Sequence, residues 1–105
     1  MTPRSLRLAY ASPIPFAGVT MFYVYLIVSI ADPKQRYVGF TTDLKQRVKS
    51  HNEGASVHTR KYKPWRLVSY FAFDDERRAR EFEHYLKSGS GRAFANKRLW
   101  PGETS

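Results

Sequence analysis

Few of the 105 residues join reactive side chains to suggestive spacing. Tyr23 and Tyr25 alternate along an apolar run, Tyr37 follows, Arg47 is the tenth residue after Tyr37, His51 comes one helical turn later, and Glu83 stands further downstream. A guanidinium fork can grip a phosphate or carboxylate through parallel hydrogen bonds. A carboxylate can hold a hard divalent ion, and a phenol or imidazole can carry a proton. Each residue also has an ordinary explanation. Tyrosines on strands usually pack, Arg47 and His51 beside an apolar stripe read as a solvated helix face, and Glu83 has Arg80 and Lys87 within one turn as ion-pair partners. His51, His58 and His84 have no spacing with carboxylates that suits a transition metal. The glycines of Ser88 to Arg92 follow a helix, the wrong context for a phosphate-cradling loop.

Eighteen Lys and Arg against nine Asp and Glu give a net charge of +9, which favours an anionic partner and nucleic acid first among them. The distribution sharpens this. Five of the nine acids lie between Asp74 and Glu83, so Arg60 to Arg66 and Lys87 to Arg98 carry four basic residues each and no acid. Such clusters suit a phosphate-facing stripe. Aromatic residues at 15% are enough for a folded core. The absence of cysteine excludes disulfides, thiolate chemistry and Cys-ligated zinc, and fits a reducing cytoplasm. The most apolar run, Val19 to Ala31, ends at Asp32 and falls short of the ~20 residues of a membrane span, so no membrane partner is expected.

The elements that must position these side chains follow from period and punctuation. Phe22 to Ile30 alternates, with Phe22, Val24, Leu26, Val28 and Ile30 on one face and Tyr23, Tyr25 and Ile27 on the other. The turn Asp32-Pro33-Lys34 leads to a second strand, Gln35 to Phe40, ended at Gly39. Thr42 or Asp43 can cap a helix running to about Asn52, with Leu44 and Val48 as its buried stripe and Gly54 just beyond. Leu67 to Phe73 is aromatic and β-branched, a third strand. Asp74 reads as the N-cap of a helix with Ala79, Phe82 and Leu86 inward, Glu83 on the flank, Lys87 in the last turn and Gly89 as the stop. Ser88-Gly89-Ser90-Gly91 reads as a flexible turn before a short terminal helix, Ala93 to Leu99. The expected fold is α+β: a small three-stranded antiparallel sheet flanked by helices, in the order β-β-α-β-α with a short helix at the end. Residues 1–20, basic and proline-bearing, read as a flexible extension, either an added leader or the product of an upstream start. Residues 21–98 form the domain and 99–105 a tail.

Tyr23-Val24-Tyr25, followed after eleven residues by Tyr37-Val38-Gly39, resembles the paired signature of the GIY-YIG endonuclease superfamily. Arg47, His51 and a downstream helix bearing Glu83 and then Leu86-Lys87 complete the resemblance, which covers residues 21–98 and is strongest to short stand-alone bacterial members. It implies phosphodiester hydrolysis with one Mg²⁺ or Mn²⁺ ion and no small-molecule cofactor. Tyr37 would be the general base or the group orienting water, with Tyr25 helping. Arg47 would hold the scissile phosphate, Glu83 the metal, and His51 would assist proton transfer or touch phosphate. A free tyrosine titrates near ~10, so a tyrosine base at neutral pH needs a cation such as Arg47 beside it. One carboxylate suffices for Mg²⁺, which keeps several waters and takes further oxygens from substrate phosphate.

The sequence departs from the family in two places: the leading glycine of the first signature is missing, and Phe40 stands where the repair-type branch has a lysine. Candidate nucleic-acid contacts are Tyr23, Arg60, Lys61, Lys63, Trp65, Lys87, Arg92 and Asn96, with Tyr62 and Trp65 able to stack on bases, Trp65 reading equally as ordinary core, and Asn96 matching an asparagine near the end of the family domain. DNA is expected in preference to RNA. The alternative is a nucleic-acid-binding module on the same fold with weak or no cleavage, for which Arg47 without the other matching residues would suffice.

Overall fold

The computed structural model describes residues 20–102, so all but the last residue of the extension expected at 1–20 lies outside the described residues. Three antiparallel strands form one sheet: β1 (Phe22–Ser29), β2 (Arg36–Thr41) and β3 (Trp65–Phe73), in the order β2-β1-β3. Helix α1 (Leu44–Asn52) follows β2, a short 3-10 turn (Arg60–Tyr62) precedes β3, and α2 (Glu76–Leu86) and α3 (Gly89–Arg98) close the chain. This is the expected α+β fold.

The central strand is apolar on both faces because both are covered. Val24 and Leu26 join Ala79, Leu86 and Ala95 in a core beneath α2 and α3, with Val38, Phe40, Phe71 and Phe82 around it. Tyr25 and Ile27 point the other way, to Trp65, Leu67, Leu44 and Tyr62. Full burial of a Leu- or Phe-sized side chain contributes about 1.5–3 kcal/mol, so these clusters hold the helices to the sheet.

Several boundaries differ from those expected, each for a local reason. β1 stops at Ser29, leaving Ile30 exposed, because the buried Ser29 hydroxyl turns the chain: it donates to the Tyr62 carbonyl and accepts from the Asp32 N–H. β2 runs through Gly39 to Thr41 because backbone pairing with Tyr25 needs no side chain there. β3 begins at Trp65, and a bulge falls between the Leu26–Ser69 and Ile27–Leu67 pairs, leaving Val68 unmatched. One extra residue reverses facing, so Leu67 and Trp65 turn to α1 while Phe71 turns to α2.

Asp75, not Asp74, caps α2, accepting from the Arg78 N–H. Asp43 caps α1 through the Gln46 N–H. The segment expected as a flexible turn is instead the start of α3: Ser88 is its N-cap, accepting from the Gly91 N–H. Gly91 is buried against the backbone of α2, and a β-carbon there would overlap the Tyr85 carbonyl. Leu99 and Trp100, expected in the tail, pack on the core.

Candidate active site

Tyr25 from β1, Tyr37 from β2, Arg47 from α1 and Glu83 from α2 line one open cleft of about 570 Å³. Residues scattered over much of the chain meet there because β2 is an edge strand with α1 on one side and α2 on the other. The Tyr25 and Tyr37 ring centroids lie 6.3 Å apart. Gly39 makes this possible, since the Tyr25 ring occupies the space a β-carbon would need.

Behind the cleft, the chemistry is sealed. His51 is 1% exposed, its Nε2 2.7 Å from the Tyr25 hydroxyl and its Nδ1 2.7 Å from Thr59 Oγ1. Thr59 is also buried, and its carbonyl accepts from Trp65 Nε1. Burial, and secondarily the Arg47 charge, lowers the His51 pKa below the ordinary 6.5, so the ring is neutral and serves as one donor and one acceptor. Burial likewise raises the Tyr25 pKa strongly, with the neighbouring Tyr37 adding to it, so Tyr25 stays a protonated phenol. The direct phosphate contact considered for His51 is closed, because no face of the ring reaches solvent.

The front of the cleft is open. Arg47 is exposed and Tyr37 half-exposed. Glu83 is partly shielded, its side chain 21% exposed, and takes a 2.9 Å bond from Lys87 Nζ. Glu76 and Arg80 also line the cleft, paired with each other at 2.9 Å, and the Arg80 guanidinium lies 3.9 Å over the Phe40 ring. Sequence reasoning missed both as site residues, although Glu76, Arg80, Glu83 and Lys87 follow the four-three-four spacing of one helical stripe.

The expected nucleic-acid contacts are dispersed. Lys87, Arg92 and Asn96 line a cleft adjoining the first. Arg60 and Lys61 lie on the exposed 3-10 turn with Lys63 just after it, and none of the three lines the catalytic cleft. Tyr23 packs edge-on to Tyr70 above a separate hollow that includes Lys45 and Lys49. Trp65 is a correction: at 4% exposure, with its indole N–H bonded, it is core and offers no face to a base.

Among the described residues, no three His, Cys, Asp or Glu side chains gather as a ready metal cage. Glu83 and Glu76 give hard oxygen donors on an open cleft, and the imidazole of His51 behind it is committed to Tyr25 and Thr59. That donor set fits a hydrated Mg²⁺-like ion completed by substrate oxygens and does not fit a four-ligand structural site.

Two tyrosines on adjacent strands, one central and one at the sheet edge, with an arginine and a glutamate converging from flanking helices, define a class, and the chain belongs to it: the GIY-YIG catalytic domain family matches residues 21–98. A UPF0213 protein of Haloquadratum walsbyi is 42% identical over 67 residues, 63% of this chain and 73% of that protein. One from Clostridium perfringens is 35% identical over 64% of this chain and 71% of its own length. The structure-specific endonuclease subunit SLX1 of Debaryomyces hansenii is 34% identical over 63% of this chain, which spans 21% of that protein. The solution structure of a UPF0213 protein from Bacillus halodurans, 32% identical, aligns with a TM-score of 0.44 over 70% of this chain and 80% of its own. No helix among the described residues is long and apolar enough to cross a membrane.

Proposed function

We propose that this chain is an endonuclease that hydrolyses phosphodiester bonds, acts on DNA in preference to RNA, and uses one Mg²⁺ or Mn²⁺ ion at Glu83. The observation that carries this reading is the convergence of Tyr25, Tyr37, Arg47 and Glu83, from four separate elements, on one solvent-open cleft. Similarity to proteins named structure-specific endonuclease subunits supports it.

In this reading Arg47 grips the scissile phosphate with paired donors and offsets charge as water attacks phosphorus. Tyr37, the tyrosine that solvent reaches, orients or deprotonates that water. Tyr25 acts as a fixed phenol, because its hydroxyl is held by His51 and burial opposes its ionisation. Glu83, with Glu76 beside it on the cleft wall, would hold the ion, which when bound polarises the phosphate and offsets charge on the departing oxygen. Arg80 over Phe40 supplies a cation at the wall where the family's repair branch has a lysine.

A second reading, nucleic-acid binding without cleavage, is favoured by the Glu83–Lys87 ion pair, which satisfies the proposed metal ligand from its own helix. Labelled duplex, branched and single-stranded DNA and RNA, incubated with the protein and Mg²⁺, Mn²⁺ or chelator, separate the two. Metal-dependent cleavage supports the nuclease, and retention without cleavage in every metal condition supports the binding module.

A further inference from the structure

The catalytic cleft is the first of three neighbouring clefts, each sharing a lining residue with the next. Tyr37 lines both it and a second cleft of about 430 Å³, and the 2.9 Å Glu83–Lys87 pair spans the same boundary with one member in each. Arg36 in turn lines both the second cleft and a third, of about 660 Å³, which reaches Lys34 and Arg66 beyond the end of β1.

The charge on this path is one-sided. Arg36, Lys87 and Arg92 line the second cleft and Lys34, Arg36 and Arg66 the third, with no carboxylate on either. Of these cations, Lys87 alone has a carboxylate partner among the described residues. On α2, by contrast, Arg77, Arg78 and Arg80 all pair with acids of their own helix or its cap.

Arg36 is also held in place by neutral groups. Its Nη1 donates to Asn96 Oδ1 at 3.0 Å, and its guanidinium lies 5.0 Å from the centroid of Trp100. One of five donors is used and the charge is unspent, which is how a cation is readied for an anion arriving from solution. A chain of open clefts suits a polymer whose charges repeat along its length better than a small anion, which would need an enclosed site.

We propose that the substrate strand, on one side of the cleavage point, crosses the edge of β2 at Tyr37 and runs along Arg36 and Arg92 to Lys34 and Arg66, its phosphates facing these cations. The inference rests on reading the first cleft as the place of phosphodiester cleavage. It predicts that the protein holds a flank of its substrate as well as the scissile bond.

The test is the salt dependence of binding to fluorescent DNA and RNA oligonucleotides of one sequence, in chelator so that no strand is cut. Each lost phosphate contact lowers the slope of log affinity on log salt by ~0.7–0.9. The double variant Lys34→Ser/Arg66→Ser, at exposed positions whose side chains make no hydrogen bond among the described residues, should therefore lose about 1.4–1.8 of slope in at least one arm. It should also lose the gain in affinity that wild-type protein shows when the oligonucleotide is lengthened. Arg77→Ser/Arg78→Ser, an equal charge change on the far face of α2, should keep both. Loss in the DNA or the RNA arm supports the path and tells which strand follows it. A wild-type slope in both arms for Lys34→Ser/Arg66→Ser, or an equal loss in the control, overturns it. Cleavage is scored separately with metal. A variant that cuts while keeping the wild-type slope removes the path and spares the nuclease, and a protein that never cuts but loses slope does the reverse.

Discussion

Tyr25 and Tyr37 face each other across one strand pair at 6.3 Å, yet they occupy different surroundings. Tyr25 is 2% exposed and bonded to a buried neutral imidazole that is itself bonded to a buried threonine. Tyr37 opens onto solvent beside an exposed arginine and a carboxylate held by a flexible lysine. The back of the cleft is thus fixed by hydrogen bonds that cannot be exchanged for water, while the front is made of groups whose partners can leave when a substrate arrives. Buried polar chains are costly to break, whereas exposed ion pairs are worth ~0–1 kcal/mol. Fixed geometry and exchangeable chemistry have been given to opposite walls.

The comparison predicts that damage at the front lowers activity and damage at the back lowers stability. The largest effect should come from Glu83→Ala, with cleavage falling by ~100-fold or more, the scale for removing one electrostatic stabiliser of a transition state. The melting temperature should hardly move, and binding in chelator should hold or tighten as a negative charge leaves a basic surface. A Glu83→Ala protein that cuts at the wild-type rate would remove the metal assignment. Tyr37→Phe should lose ~10²–10⁴-fold in single-turnover cleavage while keeping its melting temperature.

At the back, His51→Leu strands the hydroxyls of Tyr25 and Thr59, each costing about 1–3 kcal/mol. Thermal melting should fall by ~4–8 °C for each kcal/mol in a domain of this size. An unchanged melting temperature would show that the chain of hydrogen bonds is not structural. A smaller effect concerns pH. Because the folded state holds His51 neutral with a lowered pKa, its contribution is fully present above the ordinary value of 6.5 and is lost as pH falls through the folded value. Wild-type protein should therefore melt at lower temperature in mild acid, and His51→Gln, which can bond to both hydroxyls without titrating, should flatten that slope. The smallest effect is Lys87→Gln, expected to cost a few tenths of a kcal/mol while lowering the Mg²⁺ concentration needed for half-maximal cleavage.

Much of this was legible in the sequence where period and chemistry agreed. The alternation of β1 sorted Tyr25 from Val24 and Leu26, and the stripe Ala79, Phe82 and Leu86 set the inner face of α2. His51 was misplaced because its polar name hid its position: Leu44, Val48 and His51 stand four and three apart, so they share one face, and His51 is the buried member of α1. Trp65 was read as a stacking surface because the bulge that carries it under α1 leaves no mark in the local pattern. The start of α3 was read as a loop because glycine there serves close packing on α2, a demand made by another helix and invisible in the segment itself.

The unmatched residue in β3 has a consequence for how the domain can change. On either side of Val68 the strand answers to a different helix, one half to α1 and the cleft's buried back, the other to α2 and the main core. Were Val68 to pair in a regular ladder without the bulge, the two halves would share one alternation, swinging Trp65 and Leu67 out from under α1 and taking the indole from the Thr59 carbonyl. The place where this strand breaks its ladder therefore matters as much as the identity of any side chain, and loss of Val68 itself would leave every facing as it is.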